Sequence, residues 1–260
     1  MGKAFTFRDH PFPPVEGRRR VLITGAAGRI GAYLAEHCQA LYDLRLMVRG
    51  DEPQIDRIEG FGEVCQCDLL DLEGLKRVCE GIDTVVHLAA EPSIHSTWEQ
   101  VLPNNIVGSY NLFSAAKAEG CRRVVFASSV NAVNAFGQEA QVRSDDPVNP
   151  TNLYGVSKCF GEALCRFFAN REGISAIALR IGAFQSLQEV HAPNNRIPWP
   201  VVITPRDLHQ LVVRCIDDER LQFAIFQGMS NNRHNKYDIS DARELIGYKP
   251  VDDVYAEQGE

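Results

Sequence analysis

The fold is decided by residues 18–39, RRRVLITGAAGRIGAYLAEHCQ. Val21–Thr24 is a short apolar run, a glycine-bearing turn follows, and an amphipathic helix opens at about Arg29. A strand without polar alternation is covered on both faces, as in a parallel sheet flanked by helices. Gly25, Gly28 and Gly31 keep a G-x-x-G-x-x-G spacing across the turn. The first allows a tight reversal, the second lets backbone approach a pyrophosphate, and the third lets helix and strand pack closely. The helix N-terminus then presents free N–H groups to phosphate. The glycine spacing alone is weak, but the strand before it and the helix after it supply the context it needs. Gly25, Gly28, Arg29, Ile30 and Gly31 are therefore candidates for holding a dinucleotide.

The alternation continues outward from that stretch. Apolar strands are expected at 44–49 (LRLMVR), within 63–71 (EVCQCDLLD), at 83–90 (DTVVHLAA), at 122–129 (RRVVFASS) and at 175–182 (SAIALRIG). Helices are expected at 72–81, through 104–120, through the segment around 152–170, and from about Thr204. This pattern predicts an α/β fold: a Rossmann-type doubly wound parallel sheet whose ligands bind beyond the carboxyl ends of the strands. The expected organisation is an N-terminal extension at 1–17, a dinucleotide-binding core at 18–182, and a small substrate lobe at 183–260 interleaved with the core. The extension, with Pro11, Pro13 and Pro14, is read as a disordered tail or an arm across a partner subunit.

The bulk properties exclude several classes. With 260 residues, 45% hydrophobic, the chain can bury one large core. A net charge of −7 and no basic cluster beyond Arg18–Arg20 argue against nucleic acid. Eight scattered cysteines form no C-x-x-C pair and no zinc-spaced set with histidine, so free thiols in a reducing cytoplasm, and no metal, are expected. The N-terminal residues lack the apolar core of a secretory signal, and no run approaches 18 apolar residues, so no membrane span is expected.

The end of the second strand reports on the dinucleotide. An acid there takes the ribose 2′-hydroxyl of NAD, whereas an arginine nearby suits the 2′-phosphate of NADP. This chain reads MVRGDE at 47–52, with Val48 where the acid is expected, then Arg49, and Asp51 two residues late. Arg29 adds a second positive charge or is simply a solvated helix start. NADP is favoured, with NAD as the alternative.

Tyr154 stands four residues before Lys158 in NPTNLYGVSKCFGEAL, residues 149–164. At this spacing the two side chains share a helix face, about 6 Å apart along the axis. An adjacent ammonium favours the phenolate, although Y-x-x-x-K also arises by chance in many helices. The ordered set of the glycine turn, CDLLD (67–71), VVHLAA (85–90), NNIVGSYNL (104–112), VVFASS (124–129) and YGVSK (154–158) resembles the extended short-chain dehydrogenase/reductases over roughly residues 20–250. It is most similar to uronate dehydrogenases and related sugar-C1 dehydrogenases, which share segments like FASS (126–129), LYGVSKCFGE (153–162), RIG (180–182) and NKYDISDARELIGYKP (235–250).

That resemblance implies roles. Tyr154 becomes the general base, Lys158 holds the nicotinamide ribose and tunes the tyrosine, and Ser129 hydrogen-bonds the reacting oxygen, with Ser128 a strand residue beside it. Asn105 matches a structural asparagine near the lysine, or is a helix cap. Asp68 and Leu69 flank the adenine, Leu88, Ala89 and Ala90 line the nicotinamide side, and Ile181 joins the cofactor set. Where uronate dehydrogenases follow the serine with Asn-His, this chain has Val130-Asn131, keeping one polar contact through Asn131. Arg196, in NNR at 194–196, grips a substrate carboxylate or phosphate, or forms a loop salt bridge, and Ser93 offers a hydroxyl. The implied activity is NAD(P)-dependent oxidation of the C1 hydroxyl of a small sugar, uronate or sugar phosphate to a lactone. A nucleotide-sugar epimerase or dehydratase with retained NAD, and a non-catalytic dinucleotide-binding protein, are the alternatives. The helices at 99–118 and 152–170 are those that pair in a dimer in this family, so a homodimer or a multiple of it is expected.

Overall fold

The apolar runs become strands of one eight-stranded sheet in a computed structural model that describes residues 4–50, 54–137 and 139–256. The chain begins with β1 (Phe5–Phe7), β2 (Arg20–Thr24), α1 (Arg29–Cys38), β3 (Asp43–Val48), β4 (Glu63–Gln66), α2 (Leu72–Cys79) and β5 (Thr84–His87). Then come α3 (Trp98–Val101), α4 (Ser109–Ala118), β6 (Arg123–Ser129), α5 (Leu153–Phe167) and β7 (Ser175–Ile181). It closes with β8 (Ala183–Phe184), α6 (Leu187–Val190), β9 (Val202–Ile203), α7 (Pro205–Asp217), β10 (Leu221–Gly228) and α8 (Ser240–Ile246). The sheet order is β1-β10-β7-β6-β5-β2-β3-β4, with β1 antiparallel to β10 and every other pairing parallel.

Successive side chains of a strand point to opposite faces, and both faces are dry here. Val21 and Ile23 pack with Leu34 of α1 and Leu208 and Leu211 of α7. Leu22 between them packs on the other side with Leu75 of α2, Leu112 of α4 and Leu164 of α5. From β4 at the edge the chain returns through α2 to β5, on the far side of β2. β2 and β5 are therefore the pair at which the strand order reverses, and a ligand crevice belongs beyond their carboxyl ends.

Three features depart from the sequence reading. The N-terminal extension supplies β1 to its own sheet, with Phe5 opposite Ala224 and Thr6 opposite Phe223, rather than trailing free or reaching a partner. LQFAIFQG at 221–228, assigned to the lobe, is a core strand, and α7 is a core helix. The helix expected through 104–120 widens to a π-helical stretch over Leu102–Gly108 before α4. Pro103 lies in its first turn, where a residue without an N–H disturbs the α ladder.

One buried ion pair anchors α5 to the sheet. Arg180 of β7 donates to both Glu162 oxygens at 2.8 and 2.9 Å, and Ser128 Oγ donates to Oε1 at 2.6 Å. Neutralising one member of such a pair leaves the other charge buried and uncompensated, which costs about 3 kcal/mol or more. Glu162→Gln is expected to lower unfolding stability by that order in urea titrations. An unchanged midpoint would mean that the pair does not anchor the helix.

Candidate active site

The glycine turn fits a pyrophosphate for reasons visible in its backbone. Gly25 has φ +65°, and a Cβ there would lie 3.0 Å from both Cα and N of Ala89. A Cβ on Gly31 would lie 2.3 Å from the Gly25 carbonyl oxygen, so α1 could not pack this close to the turn with any side chain there. Gly28 is the N-cap of α1, and no side chain caps that end. The leading N–H groups of the helix thus have no internal acceptor and suit an anion.

Across the switch point, β2 and β5 are fastened by side chains. Thr24 Oγ1 accepts from the backbone N–H of Leu88 and of Ala89, each at 3.2 Å. Its own proton therefore goes to His87 Nδ1, 2.8 Å away, which leaves the Nε2–H facing Ser109 Oγ at 3.3 Å. Burial, reinforced by the charge of Lys158, pushes the His87 pKa down to about 3, so this imidazole stays neutral. The chain at Leu88, Ala89 and Ala90, all half-buried, is held against the glycine turn by this fastening.

Tyr154 and Lys158 rise from α5 beside the end of β6. Lys158 is buried with its Nζ 5.4 Å from the Tyr154 ring centroid and 5.1 Å from that of Phe126. No carboxylate pairs with it among the described residues, and burial lowers its pKa to about 8. Phe126 lies against α5 because residue 161 is glycine, whose Cβ would otherwise meet the ring at 2.0 Å. Burial raises the Tyr154 pKa, and the neighbouring Ser129 hydroxyl draws it back down. Ile181 is Ser129's register partner on β7.

Two asparagines order the surrounding loops. Asn105 is buried inside the π-helical stretch, not at a helix cap: its Oδ1 accepts from Glu91 N at 2.7 Å, and its Nδ2 donates to Glu91 O at 3.0 Å and Ser157 Oγ at 2.9 Å. Ser157 Oγ in turn donates to the Tyr154 carbonyl at 2.7 Å, so the clamp reaches α5 next to the tyrosine. Asn131 turns its amide inward to Ser129, Asn134 and Asn152, and Val130 packs partly buried against the core.

The remaining candidates lie around the rim. Arg49 is exposed just after β3, with no hydrogen bond or ion pair among the described residues; Asp51 lies outside them. Arg29 is held by Glu189 of α6 at 2.7 Å. Asp68 is exposed and accepts from Leu70 N at 2.8 Å, while Leu69 is buried with its carbonyl accepting from Asn111 at 3.0 Å. Ser93 is exposed in a turn closed by Glu91, and Arg196 is exposed with no partner among the described residues. Neither touches the Ser129–Tyr154–Lys158 cluster by hydrogen bond or ion pair. Thr24, His87, Phe126, Gly161, Asn134 and Asn152 were missed in the sequence. Only Asn152, a polar residue directly before a helix, carried a local signal, as an N-cap. No cluster of residues suited to a metal ion occurs among the described residues.

Residues 21–200 match the sequence profile of the NAD dependent epimerase/dehydratase family. The chain belongs to that family. It is 34% identical over 251 residues to the NAD-dependent glucose-6-phosphate dehydrogenase of Haloferax volcanii, covering 89% of this chain and 93% of that protein. It is 33% identical over 238 residues to the uronate dehydrogenase of Agrobacterium fabrum, covering 92% and 86%. A solved mutant of the uronate dehydrogenase from Agrobacterium tumefaciens, complexed with NAD, superposes with a TM-score of 0.78 at 32% identity, covering 91% of this chain and 86% of that one. In this family member the glycine turn, strands β3–β7 and the helix bearing Tyr154 all fall within residues 21–200, whereas β1 and β10 lie outside them.

Burying Lys158 carries a measurable cost. Its folded pKa of about 8 lies below the unfolded value of about 10.4, so the native chain binds fewer protons across that window. Stability from this group therefore rises with pH between the two values, and the penalty is full below about 8. Lys158→Met is expected to be more stable than the wild type at pH 7 by about 2 kcal/mol, with the gap narrowing towards pH 10. A gap that stays constant over this range in denaturant titrations would show that the lysine is not held against its own charge.

Proposed function

We propose that this family member is an NAD(P)-dependent oxidoreductase that oxidises the C1 hydroxyl of a small sugar, such as a uronate or sugar phosphate, to its lactone. The observation that carries the reading is the convergence of Ser129, Tyr154 and Lys158 beside the glycine turn and the Thr24–His87 fastening. The printed activities of its relatives, a glucose-6-phosphate dehydrogenase and a uronate dehydrogenase, support it.

Gly25, Gly28, Ile30, Gly31 and the open end of α1 would hold the pyrophosphate, with Asp68 and Leu69 at the adenine side and Leu88–Ala90 and Ile181 at the nicotinamide side. When bound, the dinucleotide supplies the hydride acceptor. Tyr154 takes the proton of the C1 hydroxyl as C1 gives up its hydride, and the C1–O bond becomes the lactone carbonyl. Ser129 holds the reacting oxygen. Lys158, charged below about pH 8, favours the tyrosinate. Asn105 fixes the backbone of α5 next to Tyr154. Arg196, unpaired among the described residues, is suited to a bidentate grip on a substrate carboxylate or phosphate, with Ser93 as a further hydroxyl. Because α7 and β10 belong to the core, the cover over the site is small, which favours a free sugar over a nucleotide sugar.

Arg49 supports NADP as the preferred dinucleotide, with NAD as the alternative favoured by the relatives' names. Eight free cysteines, and the absence of a helix long and apolar enough to cross a membrane among the described residues, support a cytoplasmic setting. Exposed Trp98 and Tyr110 near α3 and α4, and Leu153, Val156 and Phe167 on α5, support pairing of these helices with a second copy.

The reading is tested by reduced-dinucleotide absorbance with NADP and NAD against uronates, aldoses and hexose 6-phosphates. Turnover is expected, and Tyr154→Phe should lower kcat by about 10²-fold or more. Arg49→Ala should cost about tenfold or more in kcat/KM with NADP and little with NAD. Silence across the panel, with dinucleotide retained through purification, would contradict the reading and favour an epimerase. Light scattering should give at least twice the 29.0 kDa chain mass, and a monomer would sink the helix pairing.

A further inference from the structure

The loop that carries Arg196 and the turn suited to a pyrophosphate belong to distant parts of the chain, yet a continuous set of contacts joins them. Arg29 is the first residue of α1, directly after Gly28, so its side chain leaves from the helix end whose free N–H groups suit an anion. Its Nη2 donates to Glu189 Oε1 at 2.7 Å. The same carboxylate is fixed from the other side. Glu189 Oε2 accepts from Ser186 N at 2.7 Å and from Ser186 Oγ at 3.1 Å, and Ser186 Oγ accepts in return from Glu189 N at 3.2 Å. This capping box starts α6. The Ser186 backbone N–H above all, then its hydroxyl and Arg29, hold the Glu189 carboxyl below the usual range, so it is ionised at neutral pH.

From Glu189 the contacts run on to Arg196. Asn195 Nδ2 donates to the Glu189 carbonyl and to Gln185 Oε1, each at 2.6 Å, and Asn195 Oδ1 accepts from Ile197 N at 2.7 Å. Arg196 lies between those two anchored residues, so α6 sets where its side chain begins. The same two parts of the chain also meet at Phe184 of β8, whose ring centroid is 5.8 Å from Arg29 Cζ and 6.2 Å from the Tyr33 ring. Only Nη2 of Arg29 is engaged among the described residues, and a guanidinium carries further N–H donors. It can therefore serve a phosphate at the start of α1 without releasing Glu189.

We propose that Glu189 is a positioning residue that ties the Arg196 loop to the glycine turn, so that a dinucleotide seated on the turn also steadies the loop that grips the substrate anion. Arg29 bridges the pyrophosphate and Glu189, the carboxylate stays on its helix cap, and Asn195 passes the constraint to Arg196. The loop is then best formed once the turn is filled, which favours dinucleotide binding before substrate. Both members of the pair are partly exposed, 59% and 48%, so it contributes little to global stability. What it supplies is placement, because Ser186 already holds Glu189 and little freedom is lost on pairing.

Because the coupling rests on the proposed dinucleotide site and on Arg196 as the anion grip, its test reads the loop rather than turnover. Trypsin cuts after arginine, and the Arg196–Ile197 bond lies in this exposed loop. Mass spectrometry follows its cleavage in the whole protein, with and without NADP or NAD at concentrations that calorimetry shows to be saturating. Glu189→Gln removes the charge but keeps an acceptor for Ser186, as a capping box allows. Arg29→Met breaks the pair from the other end and leaves α6 untouched. Without dinucleotide both variants should be cut about two- to fivefold faster than the wild type, the scale of one exposed ion pair, at an unchanged urea midpoint. Dinucleotide should slow the cut in the wild type and lose that protection in the variants while still binding to them. With a substrate from the panel, the loss in Glu189→Gln should fall on KM rather than kcat. Equal cutting of the wild type and both variants, no protection of the wild type by bound dinucleotide, or protection that persists in both variants would each overturn the proposal. A wild type that binds neither dinucleotide would instead strike the proposed function, and the ligand-free comparison would still decide whether Glu189 holds the loop.

Discussion

The structure depends on one close approach: the turn after β2 against the turn after β5. It requires a residue without a side chain at position 25, because a Cβ there would press on Ala89 at 3.0 Å. It is then secured by a threonine that accepts two backbone N–H groups and donates to a buried neutral histidine. Leu88–Ala90 are fixed by it directly, and α1 starts at its edge because Gly31 lets the helix settle on the turn.

Helix α5 is placed by a second set of forces, which are electrostatic where the first are steric. Glu162 and Arg180 anchor α5 from beneath, and Asn105 and Ser157 fasten its backbone beside Tyr154. Lys158 is buried without a counter-charge among the described residues, which is a stability cost and the mark of a candidate functional site. The tyrosine feels burial first and the neighbouring Ser129 hydroxyl against it.

Much of this was legible in the sequence because it is local. The glycine spacing, the apolar strands and the Tyr154–Lys158 interval each occupy one contiguous stretch, and their order resembles a known family. The unread parts are non-local. β1 is a three-residue strand in front of a proline-rich run, and its pairing with β10 spans the whole chain. β10 was hidden by its position after an irregular segment, although its composition is that of a buried strand. The hydrogen bonds among Asn131, Asn134 and Asn152 are likewise non-local, since only the folded loop brings those three amides together. The Glu189 partner of Arg29 lies 160 residues away, beyond any local pattern.

The central claim, that C1 of a sugar is the hydride donor at this site, is most directly tested with substrate carrying deuterium at C1. Mass spectrometry of the reduced dinucleotide after turnover should find the label on the nicotinamide, together with a lactone product. Unlabelled reduced dinucleotide, or label retained at C1 of the product, would contradict it.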